Sequence, residues 1–375
     1  MPRCQSNNTL LPLLRKLSES LGEQQARNEL RWLIEHARKE IADGINIQQH
    51  ISAQNTEHRG ARLWREQPAR SANEVGREGE RLSSVQQTWL RQAISDRTER
   101  HKPLQYIIGE QRFGKANIIV RPPVLIPRWE TEEWMLQLAE IINAHTDRTR
   151  DTSQAAPRPL NILEACTGSG CIALGLGSEL TDSSARILGV DISDDAVGLA
   201  MDNLAFNRML LSNHVRFCKV DLQQPVHLLP AQLPAGESGG GGWDMIVSNP
   251  PYVTPAEYGG LDADVREWED IRALVPLPPG TTDPHSVADK DLDPSGMAFV
   301  VQLAKLAKEL GLATKDQSSD ALLQTSDLPR LVVEIGGAEQ AQSACQIMHD
   351  HGLSSTEVWK DMAGTDRVVL GYYKQ

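Results

Sequence analysis

Cysteine is scarce in this 375-residue chain. The five cysteines (Cys4, Cys166, Cys171, Cys218 and Cys345) are odd in number and form no CxxC pair. That argues against a disulfide framework or a zinc site, and for a reducing compartment. The ten histidines show no metal-ligand spacing either. Positive charge is outnumbered: 38 Lys and Arg stand against 50 Asp and Glu, a formal net charge of -12. Such a chain gains no general attraction to a phosphate backbone, which disfavours sequence-blind nucleic-acid binding. No apolar run reaches the roughly 20 residues that a bilayer span requires. No internal repeat is visible.

What is present is a core-forming composition. Apolar residues make up 40 % of the chain, which excludes disorder as a description of the whole. The length allows two to three domains at about 150 residues each. Residues 1–18 hold Arg3, Arg15 and Lys16 with no acid, and Leu10, Leu11, Leu13, Leu14 and Leu17 can form an amphipathic stretch. These residues fit a mitochondrial transit peptide and the first helix of a folded domain equally well.

Residues 1–100 read as helical. Leu30, Leu33, Ile34, Ala37 and Ile41 keep helical spacing, and Trp89, Leu90 and Ile94 suggest another helix. The polar stretch from Gln48 to Arg81 reads as a loop or weakly ordered insertion. Tyr106-Ile107-Ile108 and Ile118-Ile119-Val120 are short β-type runs separated by Gly109 to Gly114, a hairpin pattern. From Leu160 onward, strand and helix patterns alternate. Strands are expected at Asn161–Ala165, Arg186–Asp191, Val215–Lys219, Trp243–Ser248, Leu331–Ile335 and Arg367–Tyr373, with helices such as Asp194–Asn207 and Met297–Leu310 between them. That is an α/β doubly wound pattern. Gly236–Gly242, Pro276–Pro294 and Thr314–Asp327 interrupt it and read as surface loops.

Two segments carry chemistry. Cys166-Thr167-Gly168-Ser169-Gly170 follows a strand and opens a helix, where free backbone N–H groups and glycines let a ligand approach. Asp191 ends the next strand, where a carboxylate can bind ribose hydroxyls. The turn alone does not separate NAD from S-adenosylmethionine, because Gly168-x-Gly170-x-x-Ala173 also satisfies the relaxed dinucleotide fingerprint. Its duller readings are a plain tight turn and, for Asp191, a helix N-cap.

The second segment is Asn249-Pro250-Pro251-Tyr252, after the apolar strand Met245-Ile246-Val247. An amide or aromatic amine nitrogen delocalises its lone pair and is a poor nucleophile. Two acceptors, the Asn249 side-chain oxygen and the Pro250 carbonyl, can grip its two N–H groups, and the prolines hold them rigid. Tyr252 supplies a flat wall. Positioning is then the main catalytic task, and acceptors near the nitrogen favour the positive charge that develops on it. The duller reading is a proline turn after a strand.

Together these segments resemble the HemK/PrmC family, protein-(glutamine-N5) methyltransferases that act on peptide chain release factors. Pro103-Leu104-Gln105-Tyr106-Ile107-Ile108-Gly109-Glu110 and Val124-Leu125-Ile126-Pro127-Arg128-Trp129-Glu130-Thr131-Glu132 are similar to the segments before the family's catalytic domain. Glu334-Ile335-Gly336 with Gln340, and Lys360-Asp361-Met362-Ala363-Gly364-Thr365-Asp366-Arg367, resemble its last two blocks. The resemblance covers roughly residues 85–373 outside the insertions.

It implies a helical release-factor recognition domain at 1–100, a β-hairpin linker at 101–128 and a seven-stranded, Rossmann-like class I methyltransferase domain at 129–375. It implies S-adenosylmethionine bound by Cys166, Thr167, Gly168, Ser169, Gly170, Asp191, the Asp221-Leu222 position and Asn249. The implied substrate is the glutamine of the release factor's Gly-Gly-Gln loop, gripped by Asn249, Pro250, Pro251 and Tyr252, with no direct nucleic-acid partner, metal or membrane required.

The chain departs from the family pattern at Cys166, where glycine is usual, at Trp129 and Asp270, where proline is usual, and at Leu222, which replaces a common aromatic. With the polar insertions, these suggest a divergent eukaryotic member in the mitochondrion, with the cytoplasm as the alternative. Arg128 and Glu132 are read as orienting the substrate or as an interface ion pair, and Asp366-Arg367 as a structural pair. The rival functions are an adenine-N6 methyltransferase on DNA or RNA, which shares the tetrapeptide, an NAD-dependent dehydrogenase, and a non-catalytic protein of the same fold.

Overall fold

The computed structural model describes residues 10–41, 82–152, 158–233, 242–281, 287–288, 291–313 and 327–373. The Gln48–Arg81 stretch and most of Gly236–Gly242 and Thr314–Asp327 lie outside the described residues. The chain divides into two compact units. One comprises residues 1–110 with 263–268; the other comprises 111–262 with 269–375.

The first unit is helical. Helices α1 (Leu10–Leu21), α2 (Glu23–His36), α3 (Ser84–Glu99) and α4 (Leu104–Ile108) gather their apolar faces into one core. Leu17, Leu30, Leu33, Ile34, Leu90 and Ile94 are fully buried in it. The α3 start is set by a capping box in which Ser83 and Gln86 satisfy each other's backbone N–H groups. A charged pair crosses this core. Arg97 Nε lies 2.9 Å from Glu29 Oε2, with both side chains below a tenth exposed. Arg97 Nη1 also reaches Asp264 at 3.2 Å, which ties in the 263–268 segment.

Tyr106-Ile107-Ile108, expected as a β-type run, is helical instead. Pro103 precedes this single turn. Gly109 then takes a left-handed φ of 89°, and its N–H bonds Gln105 O at 2.6 Å, a glycine C-cap. Three β-formers in a row are overridden by their punctuation.

In the second unit a hairpin of β1 (Glu110–Phe113) and β2 (Ala116–Ile119) precedes α5 (Trp129–Thr152). A seven-stranded sheet follows, built from β3 (Leu160–Ala165), β4 (Ala185–Asp191), β5 (His214–Lys219), β6 (Met245–Ser248), β7 (Leu331–Glu334), β8 (Ser355–Lys360) and β9 (Asp366–Tyr372). Its order is β5-β4-β3-β6-β7-β9-β8. The first five are parallel, and β9 runs antiparallel between β7 and β8. Helices α6 (Cys171–Glu179), α7 (Asp194–Asn207), α8 (Ala298–Glu309) and α9 (Ala338–Asp350) connect the strands. The central strands are buried along nearly their whole length, which explains their unbroken apolar runs. This is the Rossmann-like arrangement of class I methyltransferases.

Polar side chains set the register. Asp244 accepts two bonds of 2.7 Å from Arg158 and a third from Asn161 N, pinning the starts of β3 and β6 together. On α7, Asn203 bonds both backbone groups of Ile119 and also Ser169 O, and Asn207 does the same for Asn117. Two asparagines one turn apart thus cover the β2 edge and anchor it to the glycine turn. Asp366 and Arg367 are not paired with each other: Arg367 binds Asp361 at 3.1 Å, and Asp366 binds Lys360.

Removing the Arg97 guanidinium leaves Glu29 buried without its cation. Breaking a buried pair in this way costs about 3–5 kcal/mol. Arg97→Ala should therefore lower the urea midpoint of the helical unit markedly, whereas Arg91→Ala, on the same helix but exposed, should leave it near wild type.

Candidate active site

The loops after β3, β4 and β6 meet at the carboxyl edge of the sheet, where open α/β sheets bind ligands. After β3 the backbone turns through three left-handed residues: Cys166 (φ 58°), Gly168 (φ 54°) and Gly170 (φ 81°). Nothing lies within 4 Å of where a Gly168 Cβ would be, so this face of the turn is open to a ligand. A Cβ on Gly170 would instead sit 2.7 Å from Phe217 Cζ, so close packing excludes a side chain there. Cys166 holds a conformation that costs an L-residue about 1–2 kcal/mol, which is the physical reason for glycine at that position.

Asp191 accepts the Gly168 N–H at 2.9 Å through Oδ2 and the Ser193 N–H at 2.9 Å through Oδ1. The carboxylate braces the turn from the neighbouring strand. Burial raises its pKa, while the two N–H donors and Arg272 pull the other way. The α7 N-cap is Ser193, so the N-cap reading of Asp191 does not apply.

Cys166, Gly168, Asp191, Leu222, Asn249 and Pro251 line one cleft with about 760 Å³ of atom-free space, part of it open to solvent. The Asp191 carboxylate, the open face of the glycine turn and the apolar wall suit a nucleoside. Thr167, Ser169, Gly170, Pro250 and Tyr252 do not line it. The Thr167 and Ser169 side chains point inward, Thr167 bonding the buried Glu164 carboxyl. Phe299 and Arg272 line the same cleft and were missed by the sequence reading, since nothing in their local pattern marks them.

The tetrapeptide leaves β6 with Ser248 Oγ bonded to Ala165 O at 2.8 Å, which holds the ends of β6 and β3 together. Asn249 Nδ2 donates to Thr131 Oγ1 at 3.1 Å. Thr131 Oγ1 donates to Glu334 Oε2 at 2.7 Å, and Trp134 Nε1 donates to the same oxygen at 2.8 Å. Tyr252 OH donates to Glu334 Oε1 at 3.1 Å. Burial raises the Glu334 pKa, opposed by these three donors and by the charge of Arg367. Gln340 Nε2 fixes the backbone by bonding Tyr252 O and Ser295 O, each at 2.8 Å. Among the described residues, no donor reaches Asn249 Oδ1 or the Pro250 carbonyl.

Arg128 pairs with Glu269 at 2.5 Å, and Glu132 accepts the Gly114 N–H at 2.7 Å. Both are engaged by protein groups inside the second unit. Burial pushes the Cys166 and Cys171 thiols far above the range in which a nucleophilic thiolate forms.

The sheet order and these two loops define a class I methyltransferase. No family model matches the chain. A release factor glutamine methyltransferase of Bacteroides thetaiotaomicron is 34 % identical over 288 residues, covering 77 % of this chain and 82 % of that protein. The mitochondrial MRF1 N(5)-glutamine methyltransferase of Saccharomyces cerevisiae is 31 % identical over 181 residues, covering 47 % of this chain and 50 % of that one. The chain spans 45–63 % of the length of three curated relatives that it matches, the yeast protein among them. The hMettl16 catalytic domain, solved with an RNA hairpin, is 15 % identical at a TM-score of 0.40, covering 77 % of this chain and 82 % of that one. The chain belongs to the release factor glutamine methyltransferase family, HemK/PrmC.

Glu164 gives this site a pH signature. It is fully buried at the end of β3, Thr167 is its hydrogen-bond donor, and burial pushes it up to about 8. A carboxyl raised above its unfolded value keeps its proton longer in the native state. Stability therefore falls as pH climbs from about 4.5, where the unfolded group ionises, toward about 8, where the folded one does. Glu164→Gln should remove this slope, so its melting temperature should gain on wild type at pH 8 relative to pH 5. Parallel curves for the two proteins would place the titration elsewhere.

Proposed function

We propose that the chain transfers a methyl group from S-adenosylmethionine to the side-chain amide nitrogen of the glutamine in the Gly-Gly-Gln loop of a peptide chain release factor. One observation carries the reading. Asn249, with its side-chain oxygen unbonded, shares a cleft with Gly168 and Asp191. The activity named for the relatives supports it, and none of those described above is named for adenine, so the adenine-N6 alternative is not favoured.

The groups present fit the cofactor. Asp191, braced by two N–H donors, would take the ribose hydroxyls, and the open face of Gly168 would admit the methionyl portion. Leu222 with Phe299 would flank the adenine, Phe299 supplying the aromatic face that position 222 lacks. When bound, the cofactor supplies a methyl group already activated on a sulfonium. The protein's own task is to hold the acceptor nitrogen in line. Asn249 Oδ1 and the Pro250 carbonyl take its two N–H groups, and Tyr252 bounds the plane of the amide. Pro251 stiffens the segment between them.

The helical unit would recognise the release factor. The mitochondrion is the compartment we propose, from the mitochondrial relative of Saccharomyces cerevisiae, with the cytoplasm as the alternative. Among the described residues no helix is long and apolar enough to cross a membrane.

The test is methyl transfer from labelled S-adenosylmethionine to a purified mitochondrial release factor, beside a variant whose Gly-Gly-Gln glutamine is replaced. Label on the intact factor alone is expected; label on both, or on neither, overturns the residue assignment. Asn249→Ala should cut turnover by about 100-fold or more while cofactor affinity stays within a few-fold, because one acceptor at the nitrogen is lost. Asp191→Ala should do the reverse, weakening cofactor binding in a calorimetric titration far more than it slows saturated turnover.

A further inference from the structure

We infer that Thr131 and Glu334 are positioning residues that fix which end of the Asn249 amide faces the substrate. Thr131 receives the NH₂ group, so that Oδ1 is turned toward the incoming amide. The inference deepens the methyl-acceptor reading above and rests on it.

The argument is a count of protons. Trp134 Nε1–H can only donate, and it donates to Glu334 Oε2 at 2.8 Å. Thr131 Oγ1 lies 2.7 Å from that same oxygen, and Tyr252 OH lies 3.1 Å from Oε1. Three polar groups converge on one carboxyl that is 1 % exposed, and Oε2, faced by a Trp134 N–H that can only donate, is the acceptor toward Thr131. The single Thr131 proton is therefore committed to Glu334. Toward Asn249, 3.1 Å away, Thr131 presents lone pairs only. An NH₂ group satisfies them; a flipped Asn249 would set Oδ1 against Oγ1, acceptor against acceptor.

The consequence lies on the other side of the amide. A substrate amide brings two N–H donors, and a flipped Asn249 would meet them with its own NH₂. Catalysis needs an acceptor there. Amide oxygen and nitrogen have nearly the same shape, so packing alone does not choose between the two orientations. The relay from Glu334 through Thr131 does, and it draws on three separate elements: α5, the end of β7 and the end of β6.

Thr131→Val removes the hydroxyl and keeps the shape; Thr131→Ser keeps the hydroxyl. Thr131→Val should lower kcat/KM for the release factor by about tenfold or more, the worth of one lost hydrogen bond and a mixed amide orientation. Its affinity for S-adenosylmethionine should match wild type, its unfolding midpoint should fall because a buried carboxyl loses a donor, and Thr131→Ser should retain most of the activity and of the stability. A second readout needs no turnover. In protein labelled with ¹⁵N-asparagine, the Asn249 carboxamide pair, assigned by its loss in Asn249→Ala, should exchange slowly in wild type and Thr131→Ser and quickly in Thr131→Val. Wild-type kcat/KM in Thr131→Val, or an Asn249 carboxamide indifferent to it, overturns the inference. If wild type itself labels no release factor, the functional reading fails, and the carboxamide exchange still decides the orientation.

Discussion

The sheet changes direction at β3. Its neighbours β4 and β6 are both parallel to it, but the chain reaches β4 by moving one way across the sheet and β6 by crossing back the other way. The connections diverge at the carboxyl edge and leave a crevice between them. The two segments with chemistry, Cys166–Gly170 and Asn249–Tyr252, are the residues that follow β3 and β6. Asn249 is thus brought beside Gly168 by strand order and by the Ser248–Ala165 bond, not by anything in the 80 residues between them. Had β6 paired elsewhere, neither loop would have a partner.

Two buried carboxylates stand under this crevice, and they are treated differently. Glu334, at the end of β7, is given three hydrogen-bond partners and the nearby charge of Arg367, which oppose its desolvation although burial still raises its pKa. Glu164, at the end of β3, takes one side-chain hydrogen bond, from Thr167, with the backbone N–H groups of Ile172 and Ala173 nearby, and burial still outweighs them. A fully satisfied carboxylate makes a rigid template, because each donor has one acceptor it can reach. A half-satisfied one pays for its place by holding its proton to a higher pH. The rigid template lies beneath the tetrapeptide, where aim decides the rate. The strained group lies beneath the glycine turn, where backbone does the holding.

The parts of this architecture legible in the sequence are those with local causes. Helix α7 is read at its observed bounds because Ser193 caps it and Asp194 and Asp195 favour its positive end. The central strands are read within a residue or two because burial on both faces leaves an apolar run. Strand β8 escapes notice: Ser355–Lys360 is mostly polar and only one of its residues is buried, and it is a strand because β9 offers it an edge. Tyr106–Ile108 is misread because β-branched composition outweighed Pro103 and Gly109, which set the local backbone. In the site, Asn249 and Asp191 announce themselves by motif. Trp134 and Phe299 carry no motif and Thr131 only its place in a block, and Thr131 and Trp134 act through Glu334, 200 or more residues away in sequence. Glu334 stands in the sequence only as part of a block, and its role emerges from the three groups that meet it.

Three of the four departures from the family pattern line the cleft; Trp129, exposed at the start of α5, does not. Cys166, Leu222 and Asp270 all line the cleft, whereas Asn249–Tyr252 keeps every group that the amide chemistry requires. The asymmetry has a physical basis in the proposed reading. In that reading a nucleoside is held on the cleft side by the Asp191 carboxylate, the open backbone face at Gly168 and apolar contact, and the last two tolerate exchange of side chains. Cys166 keeps the left-handed backbone at a small cost. Leu222 keeps an apolar wall, with an aromatic ring available from Phe299. Asp270 exploits an N–H that proline would lack: it donates to Pro123 O at 2.7 Å, and its carboxylate clamps Arg272 at the cleft. The amide side has no such latitude. Gripping two N–H groups needs two acceptors at fixed points, and replacing the Asn249 oxygen by anything that donates reverses the interaction it exists to make.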